Sequence, residues 1–152
     1  MNIEKIWIAY MTIVRAETVR IFRIWSQTFL PPAITTTLYY VIFGTFIGSQ
    51  IDPIEGFTYM QFIVPGLVMM AVITNSFTNT VSSFFGAKFQ RQLEELLVAP
   101  VPPIVVLAGY VTGGVVRGLL TGLLVLVIAL FFTHLSVVSF GALIVFILLT
   151  SI

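Results

Sequence analysis

The chain has 152 residues, 59% of them hydrophobic, 14% aromatic and only 9% charged, with a formal net charge of +1 and a mean hydropathy of +1.10. Soluble domains carry about 25% charged residues, so a soluble core has no use for this much apolar surface, and the near-neutral charge gives no bulk attraction to nucleic acid. With no cysteine, one histidine (His134) and six acids, disulfides and thiolate metal sites are excluded and little is left for acid–base chemistry. No catalytic, cofactor-binding or metal-ligating residue is expected.

Four stretches contain no Lys, Arg, Asp or Glu: residues 26–51, 56–87, 96–116 and 118–152. Each reaches or exceeds the roughly 20 helical residues that cross a bilayer core of about 30 Å. The expectation is an all-α integral membrane protein with several spans. A cleavable signal peptide is not expected, because the first apolar run begins near Phe29, lacks an A-x-A-like exit and is long enough to span.

Residues 1–28 set Ile3, Ile6, Trp7, Tyr10, Val14, Ile21, Phe22 and Trp25 mostly three or four apart, with Lys5, Arg15, Arg20 and Arg23 among them. This pattern predicts an amphipathic helix in the membrane interface, with its Trp residues at headgroup level; packing on a cytoplasmic domain is the plainer alternative. Leu30-Pro31-Pro32 should break it, since the residue before a proline is pushed out of the α region, and a first span should run from about 31 to 51. Asp52-Pro53-Ile54-Glu55-Gly56 reads as a short loop.

The second span, about 57–86, carries Pro65-Gly66, expected to kink it. Its later part is polar, with Asn75, Asn79 and Ser82 or Ser83 on one face. Such residues mostly bond helix to helix, although Asn75 and Asn79 are also candidates for a translocation path. Residues 88–99 then place Leu93, Leu96 and Leu97 at helical spacing beside Lys88, Arg91, Glu94 and Glu95, and Pro100, Pro102 and Pro103 end the run. A short amphipathic loop helix is predicted.

The third span, about 104–132, contains Gly109, Gly113, Gly114, Gly118 and Gly122, overlapping small-xxx-small ridges for close helix packing. Arg117 lies among them. Counting back from Thr133-His134 puts it a turn or so inside the cytoplasmic boundary, within snorkelling or pairing reach, with a place in the translocation path as the sharper alternative. A fourth span starts near Val137 and stops within apolar sequence at Ile152, so the chain is expected to be a carboxy-terminally truncated piece of a larger protein. Basic residues number four before the first span, none in the 52–56 loop and two in the 88–103 loop. This bias puts the amino terminus and the loop helix in the cytoplasm and the acidic turn outside.

The run Phe84-Phe-Gly-Ala-Lys-Phe-Gln-Arg-Gln-Leu-Glu-Glu-Leu-Leu-Val-Ala-Pro-Val-Pro-Pro103, followed by Ala108-Gly-Tyr-Val-Thr-Gly-Gly-Val-Val-Arg-Gly118, closely resembles the signature region of ABC-2-type transporter permeases. Phe62-Ile-Val-Pro-Gly-Leu67 and the Leu-Pro-Pro entry fit the same family. The resemblance implies a polytopic helical bundle of the type II exporter kind, with about four of six spans present. It implies a multi-pass permease of the bacterial inner membrane that dimerises with a second copy, binds a separate ABC ATPase subunit and exports substrate. It also implies that the loop helix is a coupling helix docking on the ATPase through Arg91, Leu93, Glu94, Glu95, Leu96, Leu97 and Pro100. No Gly-x-x-x-x-Gly-Lys-Ser/Thr phosphate loop is present. ATP and Mg therefore belong to the partner, and the permease itself is expected to be non-catalytic. A secondary transporter or channel, or a membrane scaffold, are the alternatives from other classes; the first would need midplane ionisable sites, and only Arg117 lies away from the span edges.

Overall fold

The computed structural model describes residues 3–48, 50 and 58–132. Helix α1 spans Ile3–Arg23 and α2 Trp25–Tyr39, the latter continuing as a π-helical run over Tyr40–Ile47; α3 spans Tyr59–Phe89, α4 Gln92–Val98 and α5 Pro103–Phe132. Among the described residues there is no strand. The expected loop at 52–56, the turn at 133–136 and the fourth span from Val137 lie outside them.

The first helix break falls at Ile24, not at Leu30-Pro31-Pro32. Ile24 leaves the helical region at φ −108° and ψ 35°. Its N–H still donates to the Arg20 carbonyl at 3.1 Å, and the Thr28 N–H donates to the Ile24 carbonyl at 3.0 Å. The hydrogen-bond ladder thus passes from α1 into α2, and the prolines lie inside a helix already under way. Propagating through a missing donor is easier than nucleating afresh at the prolines. Helix α1 accordingly ends at Arg23, about five residues before the boundary expected at residue 28, and the first apolar helix begins at Trp25.

Helix α3 starts where Thr58, in extended geometry at ψ 144°, donates its N–H to Gln61 Oε1 at 3.1 Å. Pro65 lies within its second turn without ending it. Among the described residues, two segments are long and apolar enough to cross a membrane, Gln61–Phe89 and Pro103–Phe132, of 29 and 30 residues. At 1.5 Å per residue each is about 45 Å long, roughly 15 Å more than the hydrocarbon core.

Helices α3 and α5 are antiparallel: Gly114 faces Thr80, Gly118 faces Ser76 and Gly122 faces Val72, while Phe84 meets Tyr110 edge-on at 5.9 Å. Helices α1 and α2 run alongside α5 in the same direction, with Ile13 against Gly109, Glu17 against Gly113, and Tyr40 5.7 Å from Phe132. So α1 is laid lengthwise on α5. The interior is layered. An apolar core of Tyr40, Val64, Val68, Val72, Val125 and Ala129 occupies the end away from α4, and a smaller cluster of Ala87, Val106 and Tyr110 lies near α4. Between them is a polar layer.

Candidate functional site

The polar layer is supplied by three helices. Glu17 and Arg20 come from α1, Ser76, Asn79 and Ser83 from one face of α3, and Arg117 from the middle of α5. Spacings of three and four bring the α3 residues together. The observed face is Ser76, Asn79, Thr80 and Ser83, while Ser82 is exposed and Asn75 spends its amide on the Ala71 carbonyl at 2.9 Å. Asn79 is fully buried.

Glu17 Oε2 accepts from Arg20 Nη2 at 2.8 Å and from the Ser83 hydroxyl at 2.6 Å, and the same Arg20 nitrogen also contacts Ser83 Oγ. Asn79 Oδ1 accepts from Arg20 Nη2 at 3.2 Å and from Arg117 Nη1 at 3.1 Å. Arg117 therefore reaches laterally across to α3 and pairs with a neutral oxygen. Each such hydrogen bond to a charged group contributes about 1.5–3 kcal/mol where water is excluded. Together they tie α1 to both long helices, which in lipid have little hydrophobic force of their own to hold them together.

The glycines of α5 divide between two neighbours. Gly109 and Gly113 face α1, where an added Cβ would lie 2.6 Å from Ile13 Cγ2 and 2.7 Å from Glu17 Cβ. Gly114, Gly118 and Gly122 face α3, and at Gly114 and Gly118 the near neighbours include the Ser76 and Val72 backbone carbonyls at 2.8 and 3.0 Å. The absence of a side chain at Gly113 leaves room for the Glu17 side chain beside α5. Close approach at Gly114 and Gly118 brings Arg117 within reach of Asn79.

Helix α4 connects α3 to α5 after Gln90, through Arg91 at φ 58° and ψ 8°. That left-handed residue turns the chain sharply, so α4 does not continue α3. Leu96, half-buried, packs against this chain's own Ala87, Val106 and Tyr110 cluster. Arg91, Glu94, Glu95, Val98 and Pro100 are exposed. Leu93 and Leu97 belong to α4, but their side chains lie outside those described. An apolar cavity of about 350 Å³, lined by Phe84, Leu96, Val101 and Ile104 among others, lies beside α4.

Sequence reasoning missed Glu17, Arg20 and the role of Ser83. A signal was present: Ile13, Glu17 and Arg20 recur at spacings of four and three, and Glu17 is the one acid between Glu4 and Asp52. A carboxylate three residues before an arginine reads as a surface pair, and only a third helix shows that this pair faces inward.

A family profile described as ABC-2 type transporter matches residues 8–152. The chain is 61% identical over 133 residues to the inner membrane transport permease YadH of Escherichia coli K12, and equally to those of Escherichia coli O157:H7 and Shigella flexneri. Each match covers 88% of this chain and 52% of the relative, so the chain spans about half the length of the curated relatives it matches. No solved structure matches it.

Proposed function

The chain belongs to the ABC-2 type transporter family, and from that membership we propose that it forms part of the membrane subunit of an ATP-driven exporter in a bacterial inner membrane. A separate ATPase subunit binds and hydrolyses ATP, and a second copy of the permease completes the path. The observation that carries this reading is the family match over residues 8–152; similarity to proteins named as inner membrane transport permeases supports the location.

In this reading α4 receives the motion of the ATPase. It joins two antiparallel apolar helices at one end of the bundle and exposes Arg91, Glu94 and Glu95. Leu96, seated on Ala87, Val106 and Tyr110, transmits displacement of α4 directly to α3 and α5. The polar layer then carries it to α1. Charge fixes the register of docking while packed apolar contact transmits force.

The test is the double substitution Glu94→Lys with Glu95→Lys in the whole protein. It reverses charge on exposed side chains, so membrane insertion and folded yield stay unchanged. Co-purification of the ATPase should fall about tenfold or more, as loss of complementary charge at a contact implies. Undiminished ATPase binding together with undiminished transport refutes the docking role of α4.

A further inference from the structure

The polar layer holds more donors than its own residues absorb. Asn79 Oδ1 has two lone pairs, and both are occupied, by Arg20 and Arg117. The opposite orientation would aim an amide N–H at two cations, so Nδ2 stays a donor. Arg20 Nε, Arg117 Nε and Asn79 Nδ2 are buried and meet no acceptor among the described residues. Charge follows the same direction: Glu17 is paired with Arg20, and one carboxylate against two guanidiniums leaves the positive charge of Arg117 unmatched among the described residues.

Arg20 is where the layer meets the surface, while Asn79 lies fully buried behind it. The Arg20 side chain keeps 38% of its surface exposed, and Arg23 is exposed one turn further along α1. Beyond Arg23 neither α2 nor the π-helical run carries a charge, so Arg20 and Arg23 stand where apolar cover begins. Guanidinium groups there, with spare N–H donors on a buried amide, suit a ligand that only accepts hydrogen bonds and carries negative charge.

We propose that the Arg20–Asn79–Arg117 layer binds a phosphate-type oxyanion, admitted past α1 and held by charge-assisted hydrogen bonds from both guanidiniums and from Asn79 Nδ2. The phosphate of an anionic amphiphile and free phosphate share this chemistry. Binding here needs no ATPase and no transport, so it stands or falls separately from the exporter reading.

The test uses the whole protein in an uncharged detergent and follows its thermal midpoint with short-chain phosphatidylglycerol, inorganic phosphate or diacylglycerol added. A saturable rise with phosphatidylglycerol alone assigns the site to a lipid headgroup. A rise with inorganic phosphate assigns it to the free anion. Diacylglycerol, lacking phosphate, gives none. The variant Asn79→Asp sets a carboxylate between the two guanidiniums, so it folds with an unchanged or higher midpoint and loses the anion response by about tenfold or more in apparent affinity, the worth of one or two charge-assisted bonds. Arg117→Gln weakens the response to a similar degree, and Asn79→Asp keeps the test decisive if Arg117→Gln folds poorly. No response of the unsubstituted protein to either anion, or a full response in Asn79→Asp, overturns the proposal.

Discussion

Arg91 is the one described non-glycine residue at positive φ. The left-handed region disfavours residues with a Cβ by about 1 kcal/mol, and the Arg91 N–H nonetheless bonds to the Lys88 carbonyl at 3.2 Å, closing the last turn of α3. Arg91→Gly should therefore leave the thermal midpoint unchanged or slightly raised, with strain relief offset in part by a looser unfolded chain; Arg91→Val should lower it. Glu17 presents the opposite case, a buried carboxylate that is paired with Arg20 and accepts a hydrogen bond from the Ser83 hydroxyl. Glu17→Gln keeps the shape and removes the charge. A fully buried pair broken this way costs about 3–5 kcal/mol, but Arg20 remains partly exposed and can turn outward, so about 1–3 kcal/mol is expected. Adding Arg117→Gln to Glu17→Gln should recover part of the loss, and a chemical-denaturation cycle over the four proteins measures this coupling.

Between elements, the interface of α3 with α5 is set by how closely their backbones approach. A Cβ at Gly118 would meet Ser76 Oγ, a rotatable group, and the Val72 carbonyl, a fixed one at 3.0 Å. Gly118→Ala should destabilise by about 1–3 kcal/mol, in the range of overpacking, and Gly118→Leu should abolish folded yield. Gly86, in the same bundle, has nothing within 4 Å of its Cβ position. Gly86→Ala should be neutral or stabilising by about 0.5–1 kcal/mol, because alanine is the better helix former. Fluorescence-detected size-exclusion melting of the three variants checks both halves of this contrast. Equal losses at Gly86 and Gly118 would show that glycine matters here for backbone freedom and not for contact.

For the whole molecule, helix length and charge fix how the bundle sits. The spare length of α3 and α5, about 15 Å beyond the hydrocarbon, belongs at the α4 end, where Lys88, Arg91, Glu94 and Glu95 cluster and where the charged part of α1 lies alongside Gly109–Arg117. That placement predicts hydrocarbon depth for the apolar core of Tyr40, Val64, Val68, Val72, Val125 and Ala129. The excess of Lys and Arg at the α4 end predicts that this end faces the cytoplasm. A cysteine placed at Gln92, exposed and in a cysteine-free chain, should react with an impermeant maleimide only in inside-out vesicles. Labelling in intact right-side-out spheroplasts would reverse the orientation and remove α4 from reach of a cytoplasmic ATPase.

The all-α membrane class was legible in the sequence because its cause is one-dimensional: long runs without charge have nowhere to go but lipid, and proline, glycine and charge clusters mark where the runs end. The family was legible for a related reason, since the segment from Phe84 to Pro103 and the glycine series after it are contiguous. Only the tertiary structure decided that the helix passes through Pro31 and Pro32, because that depends on the turn inherited from α1 across Ile24. It also decided that the five glycines serve two neighbours, Gly109 and Gly113 for α1 and the others for α3. The joining of Glu17, Arg20, Asn79, Ser83 and Arg117 is the clearest case. These residues are separated by up to 100 positions along the chain, each has an ordinary local explanation, and their shared chemistry arises only where three helices come close enough to exclude water.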